Sequence, residues 1–189
     1  MLRDLIVGPH QISFDITNKC NLRCLHCYNS SGENLASQNE LTDQEVLDFI
    51  DEFKSIKLLN FCFCGGEPLL RKELIVEAAK RLRTYGCENV AMVSNGILMT
   101  DEVIEELINA GVTRIQISLD GIKAESHDRI RNKKGVYEKA TRAIEALVKH
   151  GVDTAVAFTP TSFNISELRA VRDYLHTVGI SGTSLRVQP

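Results

Sequence analysis

Four pairs of a glycine followed by an apolar residue divide the chain, and they constrain the fold more than any other feature. Each pair stands where an amphipathic, helix-like segment gives way to a short apolar run: Gly86-Cys87, Gly111-Val112, Gly151-Val152 and Gly179-Ile180. Glycine adopts the left-handed conformation at a helix C-terminus, and the apolar residue after it packs back against the core. The pattern therefore predicts repeated units of helix followed by strand.

The segments between these pairs supply the strands and helices. Short runs rich in β-branched and aromatic residues predict six strands, at 12–16, 58–64, 89–93, 113–119, 153–158 and 183–187. A capping box at Thr42 and Glu45 begins the first helix, and further helices are predicted at 71–85, 100–110, 136–150 and 166–178. Alternating strands and helices require parallel pairing with right-handed crossovers, so the fold class is α/β. Six such units cannot close an eight-stranded barrel, but they can form a curved open sheet.

Composition limits the kind of protein this can be. The 189 residues are 43% hydrophobic, which is enough for one domain with a substantial core. The net charge is −3 and no basic run is present, so no nucleic acid partner is expected. No apolar stretch has the length of a transmembrane helix, and the N-terminus lacks a signal pattern. We therefore expect a cytoplasmic protein without a membrane partner.

Three cysteines follow the first predicted strand, in the pattern Cys20-x3-Cys24-x2-Cys27. Thiolates this close repel one another unless a cation neutralises them, which points to metal or cluster ligation in a reducing compartment. Structural zinc sites use four protein ligands, whereas three ligands leave a coordination position open. Ligation by cysteine alone at an open site indicates an iron–sulfur cluster with one free iron.

Three further cysteines lie elsewhere. Cys62 and Cys64 alternate with phenylalanines in the second predicted strand, and Cys87 begins the run before the third. A disulfide framework is disfavoured, because such frameworks belong to small secreted chains. We interpret all three as small buried hydrophobic residues. Cys64 is the candidate to face a pocket, because it directly precedes Gly65.

A second motif, Gly65-Gly66-Glu67-Pro68, follows the second predicted strand. With the three cysteines before it, it resembles the radical S-adenosylmethionine (radical SAM) superfamily. The likeness is closest to members with a C-terminal SPASM or twitch extension, many of which modify peptides. It runs from about Ile12 to Pro189 and implies a partial (β/α)6 barrel. Because the chain ends directly after strand six, we expect residues 1–189 to be a radical SAM core without such an extension.

The resemblance implies two cofactors. Cys20, Cys24 and Cys27 would bind three irons of a [4Fe-4S] cluster, and SAM would chelate the fourth. Reductive cleavage of SAM would then give a 5′-deoxyadenosyl radical that abstracts hydrogen from a substrate. The residues implied in SAM binding follow the first four predicted strands: His26, Gly65, Gly66, Glu67, Ser94, Asn95, Ser118, Asp120 and Arg131.

The resemblance also implies individual roles. Gly65 and Gly66 would border the methionyl part of SAM, and Glu67 would help to hold its amino group. Ser94 and Asn95 would lie beside the methionine and ribose. Ser118 would contact SAM, His26 would stack near the adenine, and Arg131 would meet a ligand or a carboxylate. Asp120 would orient its loop or a neighbouring basic residue.

Ordinary turns are the alternative at three of these places. A Gly-Gly-x-Pro segment serves any tight strand-to-helix turn, and Asn95-Gly96 and Asp120-Gly121 are strong turn pairs. The segment 127–131 resembles a His-Asp-x-x-Arg motif of the family, but Asn132 stands where relatives often have glycine. The following Lys133 and Lys134 fit a solvated, charged loop equally well. Three later residues are weaker pocket candidates: Thr159, Arg186 and Gln188.

Three functional hypotheses remain. The first is a radical SAM enzyme that acts on a peptide or protein side chain, with a reductant such as flavodoxin or ferredoxin. The second is an enzyme with the same core that acts on a small-molecule cofactor precursor. The third is a non-catalytic iron–sulfur or zinc-binding module, which would have no need of the Gly-Gly-Glu and Ser-Asn-Gly motifs.

Overall fold

The computed structural model of the chain describes residues 9–33, 39–56 and 58–188. The middle of the predicted polar connection at 30–40 and the terminal Pro189 lie outside the described residues. Among the residues described, no helix has both the length and the apolar character needed to cross a membrane.

Six parallel strands form one sheet in the order in which they occur along the chain. They are β1 (Gln11–Thr17), β2 (Asn60–Gly65), β3 (Asn89–Ser94), β4 (Arg114–Ser118), β5 (Asp153–Phe158) and β6 (Leu185–Val187). Each strand pairs with the next, and helical segments connect them. The predicted α/β class with a parallel sheet and outer helices is confirmed.

Six α-helices are present in the described part of the chain. They are α1 (Asp43–Asp51), α2 (Lys72–Thr84), α3 (Asp101–Ala110), α4 (Ala124–Arg131), α5 (Val136–Lys149) and α6 (Leu168–Thr177). The capping box of Thr42 and Glu45 forms as predicted, and Thr100 caps α3. Short 3-10 turns extend α1 at its end and precede α2 and α6.

The four glycine pairs end their helices as predicted. Gly86, Gly111, Gly151 and Gly179 all have positive φ, between 72° and 94°. The N–H of the apolar residue after each glycine donates to the carbonyl five residues earlier, as in the pair Ile180 and Leu175. This bond satisfies a carbonyl that the helix end would otherwise leave without a partner.

The hydrophobic core lies between the sheet and the helices, on the outer face of the strands. On β2, Phe61 and Phe63 are fully buried there, and their rings join those of Phe14 and Phe53. The opposite, inner face carries small and polar residues. Because strand residues alternate between faces, an apolar run on one face leaves the other free to line a site.

One prediction is corrected by the fold, and one helix is not among those predicted. The segment 127–131 forms the last turns of α4, while Lys133 and Lys134 beyond it are exposed, as expected of a solvated loop. Cys62 and Cys64 are half-buried on the inner face of β2, so they are not part of the hydrophobic core. Cys87 is buried as expected.

Candidate functional site

A cavity of about 460 Å³ opens at the carboxyl ends of the strands and along their inner face. In parallel α/β sheets this is the edge at which ligands bind, and the volume is that of a site for one small molecule. Most of the residues predicted from the sequence line it: Cys20, Cys24, Cys27, His26, Gly65, Gly66, Ser94, Asn95, Ser118 and Arg131. Thr159 and Gln188 line it too, whereas Glu67, Asp120 and Arg186 do not.

The two glycines let the start of the cysteine loop lie directly on the end of β2. The backbone N–H of Gly66 donates to the Thr17 carbonyl at 2.8 Å, and that of Glu67 donates to the Lys19 carbonyl at 2.8 Å. A Cβ atom on Gly66 would lie 2.2 Å from the Lys19 oxygen, and one on Gly65 would lie 2.3 Å from the Thr17 oxygen. A side chain at Gly66 would push the cysteine loop away from the sheet, and one at Gly65 would force apart the ends of β1 and β2.

Glu67 is fully buried, and both of its carboxylate oxygens accept hydrogen bonds from the protein. One oxygen accepts from the Ser94 hydroxyl at 2.9 Å and from the Leu69 N–H at 3.2 Å, and the other accepts from the Asn95 N–H at 2.9 Å. Burial raises the pKa of the carboxyl group, and these donors oppose that shift. Glu67 therefore ties the end of β2 to the end of β3. Its predicted contact with SAM remains a prediction.

Asn95 connects the end of β3 to the cysteine loop. Its side-chain amide donates to the Asn21 side-chain oxygen at 2.7 Å, and its own oxygen accepts from the Ile97 N–H. The turn predicted at this pair therefore forms, and it also supports the residue that follows Cys20. Ser94 contributes its hydroxyl to Glu67, while Ser118 lines the cavity at the end of β4.

Arg131 joins the cysteine loop to the ends of β4 and β5. Its guanidinium lies 2.6 Å from the buried carboxylate of Asp120 and 3.6 Å from the Cys24 sulfur. The other Asp120 oxygen accepts from the Thr159 N–H at 2.9 Å. The prediction that Asp120 orients a basic residue or its loop fits this geometry, in which it does both. The backbone of the cysteine loop is also fixed here, because the Leu25 N–H donates to the Ile130 carbonyl.

Two histidines flank this ion pair. The His26 ring lines the cavity, 3.6 Å from Asp120, and burial followed by the charge of Arg131 lowers its pKa. His127 is buried under the pair, and its Nδ1 accepts from the Asp120 N–H at 3.0 Å. Burial and then Arg131 lower the pKa of His127 to about 4, so its ring is neutral near pH 7.

Asn132 stands at the position where relatives often have glycine. It ends α4 with φ 55° and ψ 37°, in the left-handed conformation. Asparagine is among the few residues that adopt this conformation readily. The substitution of asparagine for glycine therefore preserves the turn.

The donor set of the cavity fits an iron–sulfur cluster. Burial raises the pKa values of the Cys20 and Cys24 thiols, so their thiolates need a bound cation to offset the loss of hydration. Some compensation comes from the protein: Arg131 lies beside Cys24, and the Ser31 N–H lies 3.3 Å from the Cys27 sulfur. Among the described residues, no three cysteine, histidine or carboxylate side chains are placed to hold a single metal ion.

Sequence reasoning missed several residues of the cavity. Gln116 on β4 is buried at its wall, and Leu22, Tyr28, Asn29 and Ser31 of the cysteine loop complete its rim. For Gln116 a signal was available, because it is the polar residue between Ile115 and Ile117 in an apolar strand. The loop residues carried no such signal.

Comparison with known families decides the membership of the chain. The model of the radical SAM superfamily matches residues 14–175. The chain belongs to the radical SAM superfamily. Members of this family use SAM and a [4Fe-4S] cluster, and relatives of this chain are named as synthases and maturases.

Relatives that are named for different reactions align with this chain. The chain is 36% identical to the AdoMet-dependent heme synthase of Methanosarcina barkeri over 164 residues, which is 85% of the chain and 45% of that protein. It is 34% identical to the mycofactocin maturase MftC of Mycolicibacterium smegmatis over 164 residues, which is 85% of the chain and 40% of that protein. The chain thus spans less than half the length of these relatives.

A solved structure shows the same fold. The enzyme anSMEcpe, with bound AdoMet and the Cp18Cys peptide, superposes with a TM-score of 0.76 over 94% of this chain and 49% of its own. The two sequences are 20% identical, so this likeness concerns the fold alone. The expected partial barrel of the radical SAM type is thereby confirmed.

Proposed function

We propose that the chain binds a [4Fe-4S] cluster through Cys20, Cys24 and Cys27 and cleaves SAM beside it to modify a peptide or protein side chain. The observation that carries the proposal is the cavity, where three cysteines of one loop meet the ends of β2, β3 and β4. When bound, the cluster and SAM supply the one-electron chemistry by which the family generates an organic radical. A flavodoxin or ferredoxin is the proposed reductant.

The protein's own residues hold the cysteine loop and shape the SAM site. Gly66 and Asn95 fix the start of the loop, and Arg131 fixes its centre through Cys24 and the Ile130 carbonyl. The glycines, Ser94, Asn95 and Ser118 form the proposed wall for SAM, with His26 on the loop side. Asp120 acts as a positioning residue, because it holds the guanidinium of Arg131.

The ligand assignment is tested by anaerobic reconstitution with iron and sulfide. The wild-type chain should take up about four irons and four sulfides and turn brown. Replacing Cys20, Cys24 and Cys27 together with Ala should abolish the chromophore. Cys87→Ala is the matched control and should retain it, because Cys87 is buried away from the cavity. A full cluster in the triple variant would refute the assignment.

A peptide substrate is supported by two kinds of relative. The mycofactocin maturase is named for maturation, and the anSMEcpe structure holds a peptide together with AdoMet. A small-molecule substrate is the second candidate, because the heme synthase is 36% identical to this chain. Both candidates require the same cofactors and the same cavity, so only the substrate distinguishes them.

The substrate class is tested by SAM cleavage under reducing, anaerobic conditions. Candidate precursor peptides and iron porphyrins are added separately to the reconstituted protein. We expect a peptide to stimulate formation of 5′-deoxyadenosine and to change in mass. Stimulation and product formation with a porphyrin alone would refute the peptide proposal and support the small-molecule one.

A further inference from the structure

Two cysteines outside the proposed cluster site share the inner face of β2. Cys62 and Cys64 are half-buried, and their sulfurs lie 3.5 Å apart, with the Cys64 thiol donating to Cys62. Cys64 also lines the cavity into which Cys20, Cys24 and Cys27 face. Packing does not explain this placement, because Phe61 and Phe63 fill the core from the opposite face of the same strand.

Small or polar side chains flank the two cysteines along the sheet. In register, Cys62 is flanked by Ser13 on β1 and Ala91 on β3, which are both small. Cys64 is flanked by Asp15, whose carboxylate accepts from the Asn29 side chain at 3.1 Å and is exposed. Large side chains therefore do not cover the pair along the sheet.

We infer that Cys62 and Cys64 form a redox-active dithiol on the inner face of β2, at the edge of the cavity, which is oxidised to a disulfide by low-molecular-weight disulfides. Residues two apart on a strand have Cα atoms roughly 6.6 Å apart, since each residue adds about 3.3 Å. That separation lies within the range that disulfides span, near its upper limit. A bond formed there is easily reduced, as expected of a reversible site.

The charges around the pair favour one sulfur as the nucleophile. The hydrogen bond from Cys64 lowers the pKa of Cys62, and the nearby charge of Arg186 lowers it further. The same hydrogen bond, followed by burial, raises the pKa of Cys64. A lowered pKa increases the fraction of Cys62 present as thiolate, the form that attacks a disulfide, and the neighbouring Cys64 thiol remains protonated.

The exchange proceeds in two balanced steps. The Cys62 thiolate attacks one sulfur of a small disulfide, forms a mixed disulfide and releases one thiolate. Cys64 then loses its proton and attacks the Cys62 sulfur, which releases the second thiol. The protein dithiol is oxidised by two electrons, and the small disulfide is reduced to two thiols.

The test uses the Cys20, Cys24 and Cys27 to Ala variant, in which Cys62, Cys64 and Cys87 are the remaining cysteines. The variant is equilibrated with glutathione disulfide, blocked with an alkylating reagent, unfolded and analysed by peptide mass spectrometry. We expect the peptide containing Cys62 and Cys64 to lose the mass of two hydrogen atoms. Cys87 serves as the control and should be alkylated after unfolding.

Single substitutions should distinguish the attacking thiol, Cys62, from the resolving thiol, Cys64. In the same background, Cys64→Ser should accumulate a mixed disulfide on Cys62, because the resolving thiol is missing. Cys62→Ser should react more slowly than the parent variant, because burial and the charge of Asp15 still raise the pKa of the remaining Cys64 thiol. Free thiols at both positions in the parent variant, or a stable mixed disulfide there, would overturn the proposal.

A second measurement guards against misfolding of the triple variant. The cluster-loaded wild-type chain is treated in the same way, with its cluster cysteines protected by iron. A disulfide joining Cys62 to Cys64 is again expected, and free thiols there would overturn the inference. Neither measurement uses SAM cleavage, so failure of the dithiol is distinguishable from failure of the proposed function.

Discussion

Individual side chains at the strand ends tie neighbouring strands and loops together. Glu67 carries a family motif, yet its oxygens accept from Leu69, Ser94 and Asn95. Asp120 likewise holds Arg131 and the Thr159 backbone. A buried carboxylate is stable only when donors replace its lost hydration, so these ties also keep the cavity wall in place.

Glu67→Gln should therefore destabilise the protein even without SAM. The amide nitrogen of glutamine would face a protein donor, leaving a buried polar group unsatisfied at a cost of about 1–3 kcal/mol. The free energy of unfolding in urea, measured without cofactors, provides the check. Glu45→Gln is the matched control, because glutamine also serves in a capping box and should change stability by less than about 0.5 kcal/mol. Equal stability of wild type and Glu67→Gln would show that the hydrogen bonds of Glu67 do not stabilise the fold.

His127 should make stability depend on pH. Its pKa is about 4 in the folded chain and 6.5 as a free side chain, so the unfolded state binds more protons between these values. The free energy of unfolding should thus fall as the pH falls from about 6.5 towards 4, by about 3 kcal/mol in all. His127→Gln should remove this slope, whatever its effect at pH 7. The same slope in both proteins would show that other groups cause it.

At the scale of elements, the cysteine loop depends on close backbone contact with the turn after β2. Gly66 does not have a positive φ, so its requirement for glycine comes from close contact with the backbone of Asn18 and Lys19. Gly86 presents the opposite case: it has positive φ, but a Cβ there would meet no atom within 4 Å. Substitutions at these two positions therefore distinguish the effect of steric contact, at Gly66, from that of backbone conformation, at Gly86.

Gly66→Ala should displace the cysteine loop. Overpacking against a backbone oxygen should cost about 1–3 kcal/mol, and the thiols of Cys20, Cys24 and Cys27 should alkylate faster. Gly86→Ala, the matched control, should cost about 1–2 kcal/mol through its left-handed backbone and leave the alkylation rates unchanged. Unchanged thiol reactivity in Gly66→Ala would contradict the proposed contact.

At the scale of the whole molecule, the sheet separates two environments. The outer face buries the aromatic cluster of Phe14, Phe53, Phe61 and Phe63 beneath the helices. The inner face carries Cys62, and it places Cys64, Gln116 and Ser118 along the cavity wall. Stability should therefore reside mainly in the outer layer, and chemistry in the inner one.

Phe61→Ala should test this division. Truncating a fully buried ring should cost about 3–5 kcal/mol of unfolding free energy. Phe163→Ala removes a half-exposed ring whose centroid lies 3.8 Å from the Arg129 Cζ atom. This substitution should lower the free energy of unfolding by about 1 kcal/mol or less. Similar losses in the two variants, measured by urea unfolding, would mean that the outer layer is not the main core.

The sequence by itself determined the strands, most helices and the cysteine loop, because periodicity, caps and terminal glycines are local signals. It missed α4, a short and highly polar helix that buries His127, Ile130 and Arg131. Only the tertiary structure decided that Arg131 meets Cys24, 107 residues away, and that Glu67 meets Ser94, 27 residues away. The tertiary structure also decided that Cys64 lines the cavity and that Cys62 lies beside it on the inner face of β2. Period-two alternation separates the two faces of a strand, but only the packing of helices decides which face is covered.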